Sequence, residues 1–215
     1  MNELKRLKKD WKENQKFPKI SKKEIYGLLH KKSSSVVKWI FIISIIEFSF
    51  WTLLSLIFKD NEAQQRFEQY EVDHITMPLI IFGYVVLIYF FVLFYRNYKS
   101  ISTTVNSKEL MEKILKTRKT VKYYVIFNLL FLCISIIIGI YIELNNSPDI
   151  NLITSGFTEK EDYYIWYLII LVITILAIVC ITAIFILWYY LLYGLMLKKL
   201  KKNYKYLKKI ELDVE

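Results

Sequence analysis

The sequence predicts an all-α membrane protein, a polytopic four-helix bundle. Three observations predict it: long apolar runs, the placement of basic residues between the runs, and helix-capping motifs beside them. Of 215 residues, 55% are hydrophobic and 17% aromatic. The mean hydropathy is +0.31. These apolar residues are gathered into four runs, at residues 36–58, 76–95, 121–142 and 163–197.

Each run is long enough to cross a bilayer, whose hydrocarbon layer of ~30 Å needs about 20 helical residues. Backbone amides in lipid must be paired within their own segment, so each run is predicted to be a helix. The first 35 residues are strongly charged, and the first run is too long for the apolar part of a signal peptide. We therefore expect the first span to act as an uncleaved signal-anchor.

Basic residues predict the topology. Of the 30 Lys and Arg residues, 26 lie on one side: 25 before the first span, between the second and third, and after the fourth, and Lys122 at the start of the third span. Three lie in the two other loops, and the remaining one is Lys38. Basic residues mark the cytoplasmic side of a membrane. Both termini are therefore predicted to be cytoplasmic.

The net charge of +10 has the same explanation. Lysines that set topology also contact anionic lipid heads, so no nucleic-acid partner is predicted. Cys133 and Cys180 lie within spans and are read as small packing residues. Neither is placed for a disulfide or a metal site.

Capping motifs extend the predicted helices into the cytoplasm. Ser21–Glu24 and Asn106–Glu109 both have the form of a capping box, in which two side chains satisfy free amides at a helix start. Apolar residues at helical spacing flank the spans and predict buried stripes. We expect the four helices to continue as a cytoplasmic bundle. The stripe residues are Leu110, Ile114 and Leu115; Phe94, Tyr98, Ile101 and Val105; and Leu197, Leu200, Tyr204 and Leu207.

A weak internal repeat suggests a duplicated helical hairpin. Residues 21–39 resemble residues 107–124, and residues 87–95 resemble residues 186–194. Two hairpins of equal orientation would be related by an axis along the membrane normal. Topology constraints shared by both halves are the alternative cause of the likeness.

Residues 1–20 form a separate amphipathic segment ahead of the domain at 21–215. Leu4, Leu7 and Trp11 share one helical face with lysines opposite, and Pro18 ends the pattern. Such a short helix needs a surface to lie on. The membrane surface, the cytoplasmic bundle and a cytoplasmic protein partner are three alternatives.

Glu47 is the ionisable residue deepest in any predicted span. A charge at the bilayer centre costs about 3 kcal/mol on insertion scales. Ser44, Glu47 and Ser55, with Trp51, lie at helical spacing and form a predicted polar seam. Residues of similar depth are its expected partners: Tyr84 or Tyr89, Ser135, and Thr174 or Thr182.

Two roles for Glu47 follow. In the first, a hydrogen bond to a neighbouring helix fixes the packing register. In the second, the carboxyl relays protons or cations in a small transporter or channel. The first is favoured because no second acid, His or Lys lies at a similar depth.

Catalytic and metal motifs are absent from the sequence, and no cofactor is predicted. Glu71, Asp73 and His74 could bind a cation together with Glu143 or Asp149, but a solvated acidic loop is the simpler interpretation. The aromatic residues at the span ends are typical of an interfacial belt.

One family resemblance covers the whole chain. The stretch EIYGLLHKKSSSVVKWIFIISIIEF, after LKKDWKE and FPKIS, resembles small bacterial four-span membrane proteins of unassigned function. Members are often catalogued under a carotene oxygenase name, and some resemble proteins encoded beside alternative sigma factors. The familiar carotene-cleaving enzymes hold iron with four histidines. This chain has two, His30 and His74, on opposite sides of the predicted membrane.

The sequence therefore favours a non-enzymatic membrane protein that acts as an interaction or regulatory scaffold. Its basic cytoplasmic bundle would face anionic lipid and a cytoplasmic protein, and a second copy of the chain is an alternative partner. The rival function is a transporter or proton-coupled channel that uses Glu47. An enzyme acting on a lipid is the third alternative, and it lacks a visible catalytic set.

Overall fold

The protein is a bundle of long helices, seen in a computed structural model that describes residues 21–58, 65, 69–157 and 160–212. Four helices are long and apolar enough to cross a membrane, which makes this a multi-pass membrane protein. The fourth is a single rod in which two α-helices are joined by a π-helical turn. The elements are α1 (Lys22–Ile57), α2 (Asp73–Ser102), α3 (Ser107–Asn146), α4 (Pro148–Ser155), α5 (Lys160–Tyr189), the π-turn (Tyr190–Gly194) and α6 (Leu195–Leu212).

Helix α1 begins at the predicted capping box. Glu24 N donates to Ser21 Oγ at 3.2 Å, and Ser21 N donates to Glu24 Oε2 at 2.8 Å. The helix then continues without a break to Ile57, so one rod joins the charged segment to the first span. The predicted extension of α1 beyond the span is confirmed.

Helix α3 begins with a simpler cap. Asn106 Oδ1 accepts from Lys108 N at 3.1 Å. The second half of the predicted capping box is wrong, because the Glu109 side chain turns along the helix and pairs with Lys113. A side chain one turn away on the same face competes for this carboxylate.

Most of the buried core lies at one end of the bundle. We call this the basic end; it comprises residues 21–47, 90–124 and 189–212. Helix α1 packs on α2 and α6 there, and α3 packs on α2 and α6. The predicted stripes supply much of this core. Its most completely buried apolar residues are Val37, Ile40, Phe94, Ile101, Leu110, Ile114, Val121, Tyr193, Leu200 and Leu207.

Two residues of the predicted stripes are exposed, and Tyr98, Leu197 and Tyr204 are half-buried. Val105 is 87% exposed because α2 ends at Ser102, before the stripe does. Leu115 is 42% exposed because it follows Ile114 round the helix and faces outward. Both predictions were wrong, and in each case the neighbouring stripe residue is the buried one.

Buried hydrogen bonds connect the helices of the basic end. Asn203 Nδ2 donates to Ser33 Oγ at 3.0 Å, which joins α6 to α1. Asn97 Nδ2 donates to Thr120 Oγ1 at 3.1 Å, which joins α2 to α3. Buried polar groups without partners are costly, so each pair favours one register of its two helices.

A third pair ties α1 to the end of α2. The Tyr26 hydroxyl donates to Thr104 O at 3.2 Å. Burial, and secondarily the nearby Glu109 carboxylate, raise the pKa of the Tyr26 phenol. The phenol therefore remains a hydrogen-bond donor at neutral pH.

The other end of the bundle is more open. Helix α5 packs chiefly on α3 among the described residues, and most of its side chains are exposed. These apolar side chains form the surface that a bilayer would cover. Short helix α4 lies at this end, where the Tyr163 hydroxyl donates to Thr154 O at 2.9 Å.

Candidate functional site: the Glu47 cavity

Glu47 lies on α1 where the packed basic end gives way to the open part of the bundle. Its side chain is only 5% exposed. The Tyr193 hydroxyl donates to Glu47 Oε2 at 2.6 Å, and the Tyr124 hydroxyl donates to the same oxygen at 3.1 Å. One carboxyl oxygen therefore receives two phenolic hydrogen bonds, from α3 and from the π-turn.

The π-turn helps to set this arrangement. Tyr189 and Tyr193 stack with their ring centroids 6.1 Å apart, and both are buried. The Tyr124 ring meets each of them edge-on. Short π-helical turns inside α-helices are frequent at functional sites. Here the turn carries Tyr193, and Tyr189 is the last residue of α5 before it, so the turn and its preceding residue supply two of the three phenols that surround the carboxyl.

The hydrogen bonds to Glu47 come from residues other than the predicted partners. Tyr84 and Ser135 line the same cavity as Glu47. Tyr89 is 59% exposed, and Thr182 Oγ1 lies 3.5 Å from Cys133 Sγ. Tyr124 lies at the start of the third predicted span, where an interfacial belt is expected, yet it is a buried partner of the carboxyl. The sequence signal that could have found it is the pair of aromatic residues at positions 123 and 124, of which only one can face lipid.

The contacts also change the expected depth of Glu47. Helical side chains tilt toward the helix N-terminus, which for α1 is the basic end. Tyr124 follows Lys122, and Tyr193 precedes Lys198. At 1.5 Å per residue, the Cα atoms of these tyrosines and lysines are separated by roughly 3–8 Å along their helix axes. Glu47 is therefore nearer the basic end than the middle of its own span implies.

A cavity of about 500 Å³ opens beyond Glu47, between α1, α2, α3 and α5. We call it the Glu47 cavity. Phe48, Trp51, Phe131 and Phe185 form much of its wall, and polar groups lie among them. The polar lining residues are Glu47, Thr52, Ser55, Tyr84, Tyr124, Asn128, Ser135 and Tyr189.

The predicted polar seam is divided by this geometry. Glu47, Trp51 and Ser55 line the cavity, although Ser55 is exposed. Ser44 is fully buried, and its Oγ donates to Phe41 O at 2.7 Å within α1. Ser44 thus satisfies its hydroxyl locally and is not one of the residues that line the cavity.

Comparison with known proteins assigns a family. The family described as "Domain of unknown function (DUF8845)" matches residues 23–212. The chain belongs to this family. No curated protein and no solved structure matches the chain. In this DUF8845 member, the matched region contains Glu47, its tyrosines and every residue of the cavity wall.

The predicted cation candidates do not form a metal site. His74 Nδ1 lies 3.3 Å from Glu71 O, a backbone oxygen, and all three of Glu71, Asp73 and His74 are exposed. Within the part of the chain that the structure describes, no three His, Cys, Asp or Glu side chains converge as metal ligands. The other predicted contact residues, Leu4, Leu7 and Trp11, lie outside the described residues.

Proposed function

We propose that this protein is a non-enzymatic scaffold of a bacterial inner membrane, with both termini in the cytoplasm. The basic end would then be cytoplasmic, and it would bind an acidic protein partner. The 26-to-three distribution of basic residues supports this orientation. The resemblance between residues 21–39 and 107–124 supports an origin by duplication of one hairpin.

One observation carries the scaffold proposal: the basic end is well packed inside and strongly charged outside. On α6, Leu200, Asn203 and Leu207 are buried, whereas all seven lysines of the helix are exposed. A rigid surface with many like charges attracts partners of opposite charge and accelerates their association.

The test is a pull-down from native membranes with a charge-reversed variant. Lys201→Glu, Lys205→Glu and Lys208→Glu change one face of α6 and leave its buried face intact. We expect an acidic cytoplasmic protein to copurify with the natural chain and to be lost from this variant. The matched control replaces the same three lysines with Arg, which keeps the charge and should keep the partner.

Two results would contradict the scaffold proposal. One is recovery of the same partner with the Glu variant. The other is recovery of nothing but the chain and lipid from the natural protein. A chain lacking Met1–Phe17 tests the contribution of Leu4, Leu7 and Trp11 in the same experiment, because these residues are the other predicted contact surface.

The Glu47 cavity supports a second function, that of a small transporter or proton-coupled channel. A carboxyl that borders a 500 Å³ cavity in a membrane protein is suited to a site that binds and releases an ion or proton. Reconstituted protein should then conduct or exchange ions in liposomes, and Glu47→Gln should abolish the flux. Unchanged flux in a folded Gln variant would reject this function.

A further inference from the structure

We propose that the Glu47 cavity binds a lipophilic organic amine, with the ammonium group at Glu47 and the apolar body along the aromatic wall. This inference deepens the second function above, but binding requires only the cavity and not transport. It follows from the size of the cavity, the charge of its lining and its access to the surface.

The cavity has the size and composition of a site for a small organic molecule. Ligand pockets typically enclose about 300–1,000 Å³ and combine apolar walls with a few polar groups. Here the volume is about 500 Å³. The polar group that fixes orientation is at the end nearest the basic end of the bundle, where Tyr124 and Tyr193 hold the Glu47 carboxyl.

The lining favours a cation over an anion or a neutral molecule. Glu47 is an acid, and none of the residues lining the cavity is Lys, Arg or His. An ionised carboxylate away from water needs a counter-charge, which the wall itself does not supply. Trp51, Phe131 and Phe185 also present aromatic rings, whose faces attract cations.

An amine is favoured over a metal ion or a free proton. Metal sites usually combine several His, Cys, Asp or Glu ligands around one point, and the described residues contain no group of three or more of these that could hold a metal ion. A proton would not use the apolar volume beyond the carboxyl. A molecule with one charged head and an apolar body uses both parts of the site.

Access is from the side that lipid would cover. Trp51, Ile80 and Tyr84 line the cavity and are 42%, 48% and 42% exposed. Trp51 and Phe185 stack with centroids 5.6 Å apart and connect α1 to α5 at this level. The stack bridges the gap between α1 and α5, so a lipophilic amine already dissolved in the bilayer would enter past the exposed side chains of Ile80 and Tyr84 on α2.

The test compares a matched pair of probes on the full chain in nanodiscs. The amine is 4-phenylbutylamine and the neutral control is 4-phenylbutanol, each titrated by calorimetry against empty nanodiscs. We expect the natural protein to bind the amine at least tenfold more tightly than the alcohol. Glu47→Gln should abolish this preference and leave the alcohol unaffected.

Two further variants keep the result interpretable if Glu47→Gln does not fold. Ser135→Phe fills the cavity from α3 without touching the carboxyl, and it should reduce amine binding at least tenfold. Ser49→Ala changes an exposed residue of α1 outside the cavity lining and should have no effect. Equal binding of amine and alcohol, or no reduction in the Phe variant, would overturn the proposal.

The same preparation separates this inference from the transport proposal. Amine binding that depends on Glu47, without any ion flux in liposomes, would support the ligand site and reject the transporter. Glu47-dependent flux without amine binding would reject the ligand assigned here and leave the transporter standing.

Discussion

At the scale of single residues, the Tyr193–Glu47 hydrogen bond should stabilise the fold measurably. Tyr193→Phe removes the donor 2.6 Å from Glu47 Oε2 and preserves the ring packing. Hydrogen bonds between membrane helices couple by about 0.6 kcal/mol on average and about 1.7 at most. We expect a double-mutant cycle with Glu47→Leu, which removes the acceptor, to give a coupling near the upper value, measured by unfolding in mixed micelles.

Tyr164→Phe is the control for that cycle. Tyr164 is 74% exposed on α5, so loss of its hydroxyl should leave the free energy of unfolding unchanged. Strict additivity of Tyr193→Phe and Glu47→Leu would show that the bond contributes nothing to stability, whatever its length.

The Asn203–Ser33 pair permits a second prediction. Asn203→Ala leaves Ser33 Oγ buried without its donor and removes packing volume from α6. An unsatisfied buried polar group costs about 1–3 kcal/mol. We expect unfolding to become easier by this amount or more in the same assay. The double variant Asn203→Ala, Ser33→Ala should recover part of the loss, and no recovery would contradict the role assigned to the hydrogen bond.

Glu47 shows how far sequence reasoning reaches at this scale. Its unusual position was visible from the sequence alone, because one acid stands out in an apolar run. Its partners were not visible, because matching residues by depth assumes that all spans are centred alike. The packing of the basic end sets the actual register, and side-chain tilt moves the carboxyl toward that end. Tyr124 and Tyr193 therefore meet Glu47 although both lie near the ends of their spans.

At the scale of elements, the π-turn is predicted to be essential because it lets Tyr193 contact Glu47 while Leu200 and Leu207 of α6 remain in the core. Gly194 permits the close approach of the Tyr190 ring within this turn, since a Cβ at position 194 would lie 2.9 Å from Tyr190 Cδ2. Deleting Leu191 should convert the turn to α-helix and rotate α6 by about 100° relative to α5. Either Tyr193 would then leave Glu47, or Leu200 and Leu207 would leave the core.

Thermal unfolding would test that deletion. We expect a large loss of stability, whereas Leu191→Ala, which keeps the chain length at a residue 55% exposed, should change it little. Equal stability of the two variants would show that the turn is dispensable.

The sequence predicted one continuous fourth helix and gave no sign of this turn, because a single extra residue barely alters an apolar pattern.

At the scale of the whole molecule, the proposed topology makes a labelling prediction. In a background lacking Cys133 and Cys180, a cysteine at Lys108 or Lys201 should react only after cells are opened. Both positions are exposed at the basic end. A cysteine at Asp162, at the other end, should react with an impermeant maleimide in intact cells. The reverse pattern would invert the orientation proposed from basic residues.

The contrast between the two ends has a mechanical consequence. Helices α1, α2, α3 and the rod of α5 and α6 are clamped together at the basic end, and beyond Glu47 they behave as cantilevers. The deflection of a cantilever grows with distance from its clamp. Pressure from one leaflet would therefore reshape the far wall of the cavity while scarcely moving the carboxyl. Leaflet thickness would therefore change the volume of the cavity, while the geometry around the Glu47 carboxyl would stay nearly constant.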